Sequence, residues 1–166
     1  MRNKILQIWT NRQRDNIDVK QISMTLIGAS LAILILSFAY PLTGFNILLA
    51  PFGATCVLLF ALPDSPLAQP KNIIFGHLIT ACIGLLFFHF FGFTPLSVAL
   101  SVGVAIAAMR LTSTIHPPAG ANPIVIMVGS TSWDFLEFVA LGSVVLVVCG
   151  VLFHRLSGKM YPKYWL

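Results

Sequence analysis

The run TIHPPAGANP, residues 114–123, gathers the residues best suited to polar chemistry in an otherwise apolar stretch. His116 can hold a proton or a hydrogen-bonded solute near physiological pH. Asn122 adds a side-chain donor, and Pro118, Gly120 and Ala121 lie between the two. Proline at a first helical position forfeits no needed hydrogen bond. Small residues after it leave the free N–H groups of a helix start uncovered, and such an end carries roughly half a positive charge. It attracts a small anion without a cationic side chain. A second run, APFGAT, repeats the pattern with Pro51, Gly53, Ala54 and Thr55 at an offset of 67 residues. His77, with Thr80 and Gly84 on the same helical face, and Arg110 near the end of an apolar run are secondary candidates. His116 has two readings: it touches the solute, or it ties down a carbonyl of the break. Arg110 has two as well, a functional cation or one that snorkels to the interface. His89 and His154 read as interfacial.

Other chemistry finds little footing. No GxSxG, HExxH or P-loop pattern occurs, and no carboxylate lies inside an apolar run to orient a histidine. The expectation is therefore no enzyme, no cofactor and no metal. Cys56, Cys82 and Cys149 stand alone, without CxxC or zinc spacing, and read as packing residues. The basic residues cluster at the two ends, as a membrane surface requires and nucleic-acid binding does not.

The elements that position these residues follow from composition. Hydrophobic residues make up 57% of the chain and charged residues 9%, against about a quarter charged in a soluble domain. Apolar runs near the ~20 residues that span a bilayer recur. The fold class expected is an all-α membrane protein. Residues 1–20 form a basic interfacial segment without a cleavable signal. Residues 21–155 form a single transmembrane domain, and 156–166 a basic tail whose Tyr161, Tyr164 and Trp165 sit as an aromatic belt. Spanning helices are expected at 22–40, closed by Pro41, and at 73–91, 94–111 and 138–153. Thr94-Pro95 caps the third of these, and Trp133 anchors the polar turn 130–137.

Between the helices lie the two broken segments, 44–63 and 112–129. Gly84, Leu86 and Phe87 recur as Gly150, Leu152 and Phe153. The chain thus divides into two pseudo-symmetric repeats of helix, broken segment and helix, about 21–91 and 92–154. Basic ends place both termini in the cytoplasm. Two arrangements satisfy that: four crossings with re-entrant breaks and parallel repeats, or six with inverted 3+3 repeats. Lys71 and Arg110 against Asp134 and Glu137 favour six. Non-helical backbone is tolerated in lipid only against protein or a water-filled cavity. Two such stretches in corresponding positions point to a transport site.

The HPP motif, taken with APFGATCVLLFALPDSPLAQPKNIIFGH upstream, resembles the HPP family of integral membrane proteins. The likeness covers about residues 20 to 155 and includes no CBS-domain extension. Members in cyanobacteria and plastids are linked to nitrite transport. The resemblance implies a transporter and suggests nitrite, or a similar small monovalent anion, as its solute; the expected location is a bacterial inner membrane. Two other readings stay open. One is a non-transporting scaffold or sensor subunit, oligomerising through Gly28, Ala32, Gly103 and Ala107 at small-xxx-small spacing. The other is a pore for a small neutral solute. The expected partners are the lipid bilayer, the anion and a further copy of the chain.

Overall fold

A computed structural model describes residues 18–43 and 48–165, with side chains left out for 39–43. The expectations for residues 1–17 and for the stretch 44–47 lie outside the described residues. Among those described, the chain is all-helical. The α-helices are α1 (Val19–Thr43), α2 (Ala50–Cys56), α3 (Pro70–Phe91), α4 (Pro95–Leu111), α5 (Asn122–Gly129) and α6 (Phe135–Leu156). Three segments, Val19–Phe38, Pro70–Phe91 and Phe135–Leu156, are long and apolar enough to cross a bilayer. The protein is therefore an integral membrane protein by length and composition of its helices.

Local sequence explains most boundaries. Thr94 caps α4: its hydroxyl accepts from Ser97 N–H while Ser97 Oγ accepts from Thr94 N–H. Pro95 follows at the first helical position, where its missing donor is harmless. Ser113, at φ 55°, turns the chain out of α4, and Thr114 N–H returns to Met109 carbonyl at 2.9 Å. Pro70 begins α3, three residues before the expected start, by the same N-terminal logic. Pro41 does not close α1; the helix runs on to Thr43. Near a helix end a proline removes little more than its own hydrogen bond. The last helix is also longer than expected, 135–156 rather than 138–153.

α3 packs against α4, α5 and α6, and α1 lies on α6 and the segment after α2. One apolar core joins α1, α2 and α6 through Ala32, Leu36, Phe52, Leu59, Phe60 and Leu146. A second joins α3, α5 and α6 through Ala81, Leu85, Ile126 and Val139. Gly28 admits Phe60 and Phe153, so Gly28 and Ala32 serve packing inside the fold. Gly103 and Ala107 face outward, with open space above Gly103.

The first broken segment restarts as α2 from extended Leu49 and then widens into a π turn, Val57–Ala61. Three successive carbonyls there are met from flanking helices. His154 Nε2 donates to Leu59 at 2.8 Å, Thr25 Oγ1 to Phe60 at 3.2 Å and Gln21 Nε2 to Ala61 at 3.3 Å. These satisfy backbone groups that lipid would leave bare. His154 is thus buried against Phe60 and Tyr161, not interfacial as expected, because the π turn needs its donor. His89 is exposed.

The same bonds orient the chain. The start of α1, the end of the π turn and the end of α6 meet at one end of the bundle. The tail joins them: Tyr161 hydroxyl donates to Ala68 carbonyl, Lys163 N–H to Gln69 Oε1, and Lys163 Nζ pairs with Asp64 at 2.8 Å. Tyr161 therefore docks into the fold and does not join an aromatic belt; Tyr164 and Trp165 stay exposed.

Candidate functional site

The second broken segment runs extended to His116, tightens through a 3-10 turn, Pro117–Ala121, and continues as α5. It packs against α2 on one side and α3 on the other. Two glycines of α3 make this approach possible. A Cβ on Gly76 would stand 2.9 Å from both His116 Cβ and Thr114 carbonyl, and one on Gly84 2.8 Å from Pro123 Cα. Asn72 ties the break down by donating to Ile115 carbonyl at 2.9 Å.

Four polar side chains meet in the seam: Thr55 from α2, His77 from α3, His116 from the second break and Asn122 from the start of α5. All four are fully buried, as is Thr80 beside them. Thr55 Oγ1 lies 2.9 Å from His77 Nε2 and 2.9 Å from His116 Nε2, bridging the two rings. Their centroids are 5.1 Å apart. His116 Nδ1 lies 2.7 Å from Leu67 carbonyl. Asn122 Nδ2 reaches His77 Nδ1 at 3.1 Å, His77 carbonyl at 3.0 Å and Thr80 Oγ1 at 2.9 Å.

Donor bookkeeping gives one consistent assignment of the protons, with the Thr55 hydroxyl turned to His116 and not to Pro51 carbonyl, which lies 3.2 Å from it. A carbonyl only accepts, so His116 carries hydrogen on Nδ1. In the neutral ring Nε2 then accepts, and its partner is the Thr55 hydroxyl. With that hydrogen spent, Thr55 accepts from His77 Nε2–H. His77 Nδ1 is left as acceptor for Asn122 Nδ2–H. The bonds run in one direction, from Asn122 through His77, Thr55 and His116 to Leu67. Asn122 cannot be turned over, because its Oδ1 would then oppose His77 carbonyl. That leaves Asn122 Oδ1 buried with no hydrogen-bond partner.

The sequence candidates divide on this geometry. Thr55, His116, Asn122 and the secondary candidate His77 converge, and Pro51 and Pro118 are buried beside them. Gly53 and Ala54 are exposed, Gly120 and Ala121 half-buried, and a Cβ on either glycine meets open space. Arg110 is exposed and lines a polar pocket of about 400 Å³ with Leu67, Asn72, Ser113 and Ile115, none of which is one of the four seam side chains. Asn72, Gly76 and Leu67 carbonyl were not among the candidates. Asn72 and Gly76 stand eight and four residues before Thr80 on α3, so helical periodicity from Thr80 could have raised both. A backbone carbonyl leaves no mark in sequence. Among the described residues no cluster of three or more metal-ligating side chains occurs.

Fold and seam together define a helical membrane protein whose two broken segments close around a buried polar chain. The chain belongs to the family described as HPP, transmembrane region, which matches residues 14–162. Two transmembrane proteins of Dictyostelium discoideum are similar to it. One is 31% identical over 89% of this chain and 52% of its own length; the other is 28% identical over 89% and 57%. The chain thus spans about half the length of these curated relatives. They lend no support to a bacterial inner membrane. No solved structure matches.

Proposed function

We propose that the protein is a transporter or channel for a small monovalent anion, nitrite first, and performs no chemistry on it. One observation carries this reading: two broken segments from separate parts of the chain seal Thr55, His77, His116 and Asn122 between them, deep in an apolar bundle. Burying so many hydrogen-bonding groups costs stability unless each is paired. A passing anion would borrow donors from Thr55 and His77, with the helix starts at Gly53, exposed, and Gly120, half-buried, flanking its route.

We read the two triplets as inverted, with both described ends cytoplasmic. The convergence of the start of α1, the 61–70 loop, the end of α4 and the end of α6 at one face supports six crossings. The positive charges Lys71, Arg110 and Lys163 lie at that face.

A second reading, a pore for a small neutral solute, is favoured by the bare acceptor Asn122 Oδ1. An acceptor repels an anion and welcomes a solute that donates. Uptake by proteoliposomes of nitrite, nitrate, formate, chloride and urea separates the two. Nitrite is expected to enter, with Thr55→Val and Asn122→Leu each lowering its rate at least about tenfold while inserting normally. Undiminished nitrite uptake in both variants overturns the site. Urea entering and nitrite excluded overturns the anion.

A further inference from the structure

We propose that His77, Thr55 and His116 form a proton-binding site at the centre of the bundle, with His116 taking the proton and the Thr55 hydroxyl turning to admit it. In the neutral state His116 Nε2 accepts from Thr55. A proton taken up from water takes the lone pair on Nε2. Thr55 keeps its own hydrogen and needs a new acceptor. Pro51 carbonyl already lies 3.2 Å from Thr55 Oγ1 and supplies it. Thr55 oxygen then accepts from both His116 Nε2–H and His77 Nε2–H, while His116 Nδ1–H still donates to Leu67 carbonyl. Every N–H of the imidazolium has an acceptor within 2.9 Å without movement of any heavy atom.

His77 is not an equivalent host. Its second nitrogen faces the Asn122 amide, which donates. A proton there would oppose an N–H that cannot turn away. The hydrogen-bond chain is therefore a holder with one seat.

The groups around that seat give it no counter-charge. From α3 it meets His77, with Lys71 and Asn72 near the helix start; from α2, Thr55 and its neighbour Cys56; from the second break and α5, Asn122. Arg110 of α4 lines the pocket beside Leu67 and Asn72. His154 of α6 lies beyond Leu59. The acidic residues described, Asp18, Asp64, Asp134 and Glu137, sit at helix ends and turns. The negative partner must come with the solute. Coupling of the proton to an entering anion rests on the transport reading above; the proton site itself does not.

Imidazole nitrogen-15 spectra of the full chain in bilayers test the site directly. Near neutral pH, His116 is expected to carry its hydrogen on Nδ1 and His77 on Nε2. On acidification, His116 is expected to gain a second proton before His77 does, while His77 stays neutral. Thr55→Ser should keep the His116 midpoint, and Thr55→Val should lower it by about one pH unit or more, a tenfold loss of proton affinity. The opposite tautomers, first protonation at His77, or no protonation of either before the protein unfolds would each overturn the proposal. A midpoint unmoved in Thr55→Val would do the same. In proteoliposomes, an acid-outside gradient should drive nitrite uptake at least about tenfold above that without a gradient. His116→Gln should abolish that dependence. Nitrite uptake indifferent to the gradient removes the coupling and leaves transport standing. No uptake of any anion removes the transport reading, and the spectra still decide the proton site.

Discussion

His154 at the π turn and Gly76 at the seam show how single residues hold the broken segments in place. Replacing His154 by Leu would leave Leu59 carbonyl buried and unpaired, at a cost of about 1–3 kcal/mol. A drop in thermal stability of the detergent-solubilised protein, partly recovered in His154→Gln, checks this; unchanged melting counts against it. Gly76 works by absence. A methyl group there meets His116 Cβ and a backbone carbonyl, so something rigid must shift. Gly76→Ala is expected to cost about 1–3 kcal/mol and to disturb the His116 resonances. Gly53→Ala and Gly120→Ala meet open space and should change stability by no more than about 1 kcal/mol in either direction. Ranking the three variants by melting temperature decides the matter.

At the scale of elements, the breaks were legible because proline and glycine interrupt apolar runs. That there are two was legible because the interruption occurs twice at nearly one spacing. The cap at Thr94 was legible from chemistry alone, and removing it in Thr94→Ala should cost about 1 kcal/mol, read as a lower denaturation midpoint. The direction in which the small residues face was not legible. Gly53 and Gly120 suit both an open helix start facing a solute and an outer surface, and composition does not separate the two. His77 and His116, by contrast, are 39 positions apart in sequence. Only the packing of the second break onto α3 makes them neighbours. The π turn was invisible for a related reason: its extra residue is stabilised by Gln21, Thr25 and His154, from two distant helices.

For the whole molecule, the arrangement of ends is the testable quantity. In a background without native cysteines, Lys71→Cys and Lys163→Cys should react with an impermeant maleimide from one side of the membrane, and Trp133→Cys from the other. All three labelled from one side would exclude six crossings. The docked tail also carries a mild pH signature. Lys163 beside Asp64 holds that carboxyl below its ordinary range, mainly through their hydrogen bond. A lowered folded value means the stabilisation is complete at neutral pH and fades as pH falls through the acid range of carboxylates. Because Asp64 is 77% exposed, the effect is small. Protease cleavage near Lys159 and Lys163 should rise modestly on acidification and more strongly in Tyr161→Phe, which frees Ala68 carbonyl.

That docking has a mechanical corollary. Tyr161 grips Ala68 and Lys163 grips Gln69, while Leu67, the next residue along, grips His116. The short loop is thus a lever with a surface handle at one end and the buried ring at the other. A pull on the tail would slacken the one bond that decides which nitrogen of His116 carries hydrogen. A force applied outside the bilayer would then be felt at its middle as a change of tautomer.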